Sequence, residues 1–172
     1  DVNGWDFEGN DNDLSSQVGH GTQTAGVLGA RTNDGTGIAS LAGGYGATPG
    51  CSMIAAKVGT FGPITSLVDD AILYAMDEGA RVINMSLGIN TSSAVDAALE
   101  AAHAAGVVLV VASGNSGGQT VFYPASHPRT IAVGASDHTD SVASFSTGGA
   151  ALDLVAPGTS IRTTSFFGGY SN

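Results

Sequence analysis

At 172 residues the chain suits one domain with one sizeable core, and it is not a tail or a linker. Apolar residues make up 42% and charged ones only 12%, a balance that excludes a disordered, solvated segment. Five basic residues against fifteen acidic ones give a formal charge of −10, which argues against nucleic acid or an anionic membrane surface as partner and favours cations.

The segment from Asp6 to Asp13 is acidic and turn-rich, with Asp6, Glu8, Asn10, Asp11, Asn12 and Asp13 within eight positions. Oxygen ligands at that density suit a hard cation such as calcium, although the spacing is not that of an EF-hand, and a solvated acidic loop is the other reading. Gly19-His20-Gly21-Thr22 then sets a histidine between two glycines just ahead of the apolar run Ala25-Gly26-Val27-Leu28. The run predicts a helix whose first turn carries the ring, where the positive end of the helix dipole favours the neutral imidazole that a general base needs. A turn histidine before an ordinary helix is the alternative.

Thr32–Gly37 and Leu41–Gly50 are glycine-rich loops. Met53–Val58 reads as a buried strand, and Ser66-Leu67-Val68-Asp69 as a capping box that opens a helix. Leu67, Val68, Ala71, Ile72, Ala75 and Met76 form its apolar stripe, closed by Gly79. Strand Arg81–Met85 follows. A second helix starts at Ser93-Ala94-Val95-Asp96, buries Val95, Ala98, Leu99 and Ala102, and ends at Gly106. Strands Val107–Val111, Thr130–Gly134 and Leu152–Val155 complete the pattern. Strands alternating with capped helices predict an α/β fold with a parallel sheet covered on both faces, read from Met53 to Val111 as β-α-β-α-β without a break. A dinucleotide-binding domain shares this architecture, but no Gly-x-Gly-x-x-Gly, no phosphate-binding Gly-x-x-x-x-Gly-Lys-Ser/Thr and no suitably spaced acidic residue is present.

Val107–Val111 empties into Ala112-Ser113-Gly114-Asn115, so a strand ends in a glycine-flanked asparagine whose amide can meet a developing oxyanion. In chain order, His20-Gly21-Thr22-Gln23-Thr24-Ala25-Gly26, Val82-Ile83-Asn84-Met85-Ser86-Leu87-Gly88 and Ser113-Gly114-Asn115 resemble the subtilisin-like serine proteases over nearly the whole chain. The resemblance implies a three-layer, mostly parallel β-sheet with helices on both faces, and a secreted serine endopeptidase acting on peptide or protein substrates through an Asp-His-Ser triad. It gives His20 the role of general base and Asn115 that of oxyanion donor. It makes Ser86, Leu87 and Gly88 the edge that pairs with extended substrate, Ala112 and Gly114 one wall of the P1 pocket, and Phe122 its floor. The Asp6–Asp13 stretch is similar to a calcium-binding stretch within the family, which implies Asp6 and Asp11, with Asp13, as ligands, while Gly9 stands where a further acid is expected.

Two triad members are not visible. The aspartate is expected upstream of Asp1 in an Asp-Ser/Thr-Gly context that Asp1 lacks, and the serine just beyond Asn172. Ser160 follows Gly158-Thr159 as the family's nucleophile follows Gly-Thr, yet a strand-like run comes after it where a helix of small residues should open. The abrupt ends at Asp1 and Asn172 read as those of a piece cut from a longer protein, expected to be inactive alone. A non-enzymatic peptide-binding relative that has lost the triad is the other reading. His103, His127 and His138 lack metal-ligand spacing and read as surface or turn residues. The lone Cys51 reads as a small buried apolar residue. The family commonly has a cis peptide near Tyr123-Pro124.

Overall fold

The computed structural model describes residues 3–15 and 18–171, so Asp1, Val2 and Asn172 lie outside the described residues. In chain order the elements are β1 (Asn3–Asp6), α1 (His20–Gly29), β2 (Gly44–Tyr45), β3 (Thr48–Pro49), β4 (Ile54–Lys57), α2 (Thr65–Asp77), β5 (Val82–Met85), α3 (Ser93–Ala104), β6 (Val108–Ala112), β7 (Ile131–Ser136), β8 (Leu154–Pro157), β9 (Thr163–Thr164) and β10 (Tyr170–Ser171). Strands β5, β6, β7 and β8 form one parallel ladder in that order, with Met85 opposite Val111 and Val111 opposite Ala132. Parallel neighbours are joined by crossovers; among the described residues the one from β5 to β6 carries α3, and α2 leads into β5, so these helices pack on the sheet.

The core sits where α2 and α3 meet the ladder. Val95, Leu99 and Ala102 of α3 are completely buried, and they pack with Leu109 and Val111 of β6, Met85 of β5, and Val68 and Ile72 of α2. Each such valine, leucine or isoleucine contributes about 1.5–3 kcal/mol by leaving water, so this cluster dominates the stabilisation. The apolar stripes read from both helices are the buried faces, with Val68, Ala71, Ile72 and Ala75 buried in α2. Gly79 and Gly106 close the helices with φ of 82° and 81°, left-handed values that favour glycine.

The structure corrects several expectations. The capping box does not open α2: the cap lies two residues before Ser66, at Ile64, which makes no side-chain bond. In α3 the cap is Ser92 rather than Ser93, and its Oγ faces Val95 N at 3.5 Å. From Met53 to Val111 the expected order β-α-β-α-β is found, as β4, α2, β5, α3 and β6, while the hydrogen-bonded ladder along it is split. β4 pairs with β1, Asp6 lying opposite Lys57, whereas β5 pairs with β6 alone. α2 crosses from β4 to β5 without bringing them into hydrogen-bonding register, so each keeps one ladder edge without a strand partner among the described residues. Cys51 is exposed rather than buried, because its backbone is tied to Ala42 O just after the β2–β3 hairpin and its side chain faces outward. Among the described residues no helix is long and apolar enough to cross a membrane.

α1 lies apart from α2 and α3, seated on β9. Thr163 Oγ1 donates to Gln23 O and Thr164 Oγ1 to Thr22 O, both at 2.6 Å. A Cβ at Gly26 would stand 2.3 Å from Thr164 Oγ1 and 2.6 Å from Thr163 Oγ1, oxygens that cannot turn away without giving up these bonds. In an exposed helix interior Gly→Ala stabilises by roughly 1 kcal/mol, but overpacking of this kind typically costs about 1–3 kcal/mol. Gly26→Ala is therefore expected to lower the unfolding free energy in urea titrations, against the helix-propensity trend, and to loosen the seat of His20.

Candidate active site

His20 is the first residue of α1, with Gly19 as a helical-conformation cap that offers no side chain. A Cβ at Gly21 would meet nothing within 4 Å, so the imidazole stands in open space on that side. The ring is exposed and its Nε2 lies 2.8 Å from the carbonyl oxygen of Ser86. A carbonyl only accepts, so Nε2 carries a proton in this arrangement. To serve as base through Nε2 the ring must release Ser86 and hold its proton on Nδ1, the tautomer that a carboxylate partner at Nδ1 enforces.

Ser86 directly follows β5, and Ala112 ends β6 opposite the same edge, since Met85 and Val111 are in register. Beyond Ala112 the chain is locked from the far side of the ladder. Ser113 N donates to Val133 O at 2.9 Å, Ser113 Oγ to Thr147 O at 2.8 Å, and Thr147 N to Gly114 O at 3.0 Å. Thr147 is fully buried, and its Oγ1 accepts from Ser116 N at 3.0 Å. Within this frame Asn115 is exposed, and its side chain makes no hydrogen bond with any described residue. Sequence reasoning missed Thr147. It carries no local signal, being 31 residues from its partner Ser116 and marked only by the fold that brings them together.

The pocket residues converge as well. Gly114 has φ 113°, and a Cβ there would come 2.8 Å from Phe122 Cδ2; one at Gly88 would come 3.2 Å from the same atom. The Phe122 ring thus lies between the glycine of the edge segment Ser86–Gly88 and the glycine of the Ala112–Gly114 wall. It is 43% exposed, so it is not a core side chain. Its N–H donates to Ser113 O at 3.0 Å. On its outer side a cleft of about 390 Å³ is lined by Pro63, Thr65, Ile89, Asn90 and Tyr123 with Gly88 and Phe122. The Tyr123-Pro124 bond is cis. Ser160, exposed with φ 53°, precedes β9 and makes no hydrogen bond with His20. His103 and His138 are exposed, and His127 lies in a turn.

The acidic loop is organised differently from a cation shell. Asp6 is 3% exposed; its Oδ1 accepts from Glu8 N and Gly9 N at 2.9 and 3.0 Å, and its Oδ2 from Lys57 Nζ at 2.6 Å. Asp11 Oδ1 accepts from Asp13 N, and Asp13 Oδ1 from Ser15 N. No group of three acidic, histidine or cysteine side chains among the described residues is gathered as a metal shell. With an ammonium already on Asp6 and a glycine at position 9, Asp6, Asp11 and Asp13 do not fit calcium as arranged. Burial alone would raise the Asp6 carboxyl, but the Lys57 bond and the two N–H donors outweigh it and hold the group below its usual value of 3.8.

An α/β ladder that sets an imidazole and an unbonded carboxamide at one carboxyl edge, with glycine walls between them, has the architecture of the subtilisin-like proteases. It matches the crystal structure of a cold adapted subtilisin-like serine proteinase with TM-score 0.82 and 32% identity, covering 99% of this chain and 60% of that one. The chain belongs to the subtilase family, whose model matches residues 1–171. It is similar to thermitase of Thermoactinomyces vulgaris, 40% identical over 170 residues, 95% of this chain and 57% of that protein. A thermophilic serine proteinase of Bacillus sp. (strain AK1) is 42% identical over 170 residues, 95% of this chain and 40% of that protein. The chain thus spans about half the length of these curated relatives.

A carboxyl lowered in the folded state stabilises above its unfolded pKa, and that stabilisation is lost as pH falls through the lower folded value. Lys57→Met is therefore expected to destabilise the domain at neutral pH, by a margin that shrinks on acidification below about pH 4, the ordinary carboxylate range. Melting curves from pH 7 to pH 2 check this. In the same assay, any rise in melting temperature given by calcium over chelator is expected to be unchanged in Asp11→Asn/Asp13→Asn.

Proposed function

We propose that the chain is the base- and oxyanion-bearing part of a secreted serine endopeptidase, whose triad aspartate and serine are supplied by segments outside these 172 residues. One observation carries the reading: His20 Nε2 reaches the Ser86 carbonyl at the end of β5, while Asn115 stands unbonded beyond the end of the adjacent β6. An extended peptide laid along Ser86–Gly88 through its main chain brings its scissile carbonyl between the two. His20 then accepts the proton of a serine hydroxyl as that oxygen attacks the carbonyl carbon, and returns it to the amine as the peptide C–N bond breaks. Asn115 donates its amide N–H to the oxygen that becomes negative in the tetrahedral intermediate. β4 and β5 each keep a ladder edge without a strand partner among the described residues, and in this reading one more strand pairs there and presents the aspartate. Ser160 is no substitute for the missing nucleophile, since a strand, β9, and not a helix follows it.

In this reading the Phe122 ring between Gly88 and Gly114 shortens the P1 slot, and no charged side chain lines that slot. Burying an unpaired charge there is unfavourable, so small or medium apolar P1 residues are preferred over large aromatic and charged ones.

In the full-length protein, His20→Ala is expected to abolish hydrolysis of fluorogenic peptides, and Asn115→Ala to lower kcat by about 10²–10³ with KM nearly unchanged, a magnitude taken over from subtilisin itself. A wild-type protein that neither turns over peptide nor reacts with a fluorophosphonate at serine would refute the proposal. Phe122→Gly is expected to raise kcat/KM for P1 Phe relative to P1 Ala by about tenfold or more. Comparing Ala, Leu, Phe and Lys at P1 before and after the substitution checks it, and a preference for P1 Phe already in the wild type would sink the pocket-floor role.

A further inference from the structure

The Phe122 ring is 43% exposed and lies against Gly88 and Gly114, and its backbone is tied on both sides, its N–H donating to Ser113 O at 3.0 Å and its carbonyl accepting from Ser126 N at 2.9 Å. The next residue adds a side-chain tie to these backbone bonds. The Tyr123 hydroxyl donates to Asp96 Oδ1 at 2.8 Å, with Ser92 O at 3.1 Å, and the Tyr123 carbonyl accepts from Ile89 N at 2.9 Å. Tyr123 therefore ties the first turn of α3 to the segment that follows the Ser86–Gly88 edge. α3 is a firm anchor, its inner face being fully or almost fully buried. Asp96 in its first turn is favoured by the helix dipole, and His127 Nε2 also faces its Oδ1, at 3.8 Å. The chain after Tyr123 is pinned too: Thr130 Oγ1 donates toward Ala125 O at 2.9 Å.

A phenylalanine at position 123 would fill the same space, so the hydroxyl contributes direction rather than bulk. Its burial, and then the Asp96 carboxylate beside it, push its pKa well above the usual tyrosine value, so the group remains a proton donor.

We infer that Asp96 and Tyr123 are positioning residues for P1 selectivity: their hydrogen bond holds the Phe122–Tyr123 backbone so that the Phe122 ring stays between Gly88 and Gly114. This rests on the peptidase reading for its consequence, and on geometry alone for its cause. Releasing the bond frees the ring to leave the slot, so large P1 residues gain at the expense of small ones.

The test uses the full-length protein and two readouts. Tyr123→Phe and Asp96→Ala are each expected to raise the kcat/KM ratio of P1 Phe over P1 Ala by about tenfold. Asp96→Asn, which keeps an acceptor for the phenol, is expected to restore the ratio toward wild type. In parallel, nuclear Overhauser contacts from the Phe122 ring to the Gly88 and Gly114 α-protons are expected to weaken in Tyr123→Phe, and this needs no catalysis. Contacts and ratio that stay at wild-type values in both Tyr123→Phe and Asp96→Ala overturn the inference. If Phe122→Gly shifts the ratio while those two variants do not, positioning fails and the pocket-floor reading stands. If no protein in the series cleaves peptide, the peptidase reading fails, and the proton contacts still decide the positioning.

Discussion

The parallel register of β5 on β6 is the constraint on which the rest depends. Met85 lies opposite Val111, so the two strands end together and the segments leaving them, Ser86–Gly88 and Ala112–Asn115, start side by side. That register is held from below by apolar burial, because Met85, Leu109 and Val111 share one cluster with α2 and α3. A slip of one residue would turn these side chains to the opposite face of the sheet. The carboxyl edge of a parallel sheet is a natural place for a ligand, since the loops that leave it are free of the core yet fixed at their roots.

Around that edge, rigidity and openness are assigned to different residues. Thr147 spends its hydroxyl and both backbone groups on the Ser113–Ser116 loop, while the Asn115 amide makes no hydrogen bond with any described residue. α1 gains its position from two threonine hydroxyls of β9 rather than from a buried apolar face, Gly26 being its only buried residue. A helix held by hydrogen bonds through a glycine approaches its neighbour closely, and His20 at its tip is delivered to the Ser86 carbonyl without being buried.

The Asp6–Lys57 pair shows how one substitution of chemistry changes the meaning of an acidic segment. Six oxygen-bearing side chains within eight positions suggest a cation, yet the strand pairing of β1 with β4 puts an ammonium opposite the first of them. The loop then closes by local N–H donors to its own carboxylates, which is the ordinary behaviour of aspartate in turns.

Much of this was legible in the chain itself. Apolar spacing identified the buried faces of α2 and α3, because helical period and burial are the same fact seen twice. The glycine-flanked His20 and Asn115 were legible because both stand at element ends, where local composition records what the backbone must do. The helix caps lie at Ile64 and Ser92, two residues before Ser66 and one before Ser93, since packing chooses among neighbouring positions. Position alone could not reveal Thr147 behind the Asn115 loop, Lys57 on Asp6, the outward Cys51 or the Asp96–Tyr123 tie. Each is a contact between residues far apart in sequence or a choice of facing, and a linear pattern carries no information about either. Apolar spacing marks α2, α3 and the ladder strands, whereas Leu41–Gly50, which reads as a loop, carries the β2–β3 hairpin; what each polar group meets depends on register and crossover geometry that no local spacing encodes, so only the folded chain settles it.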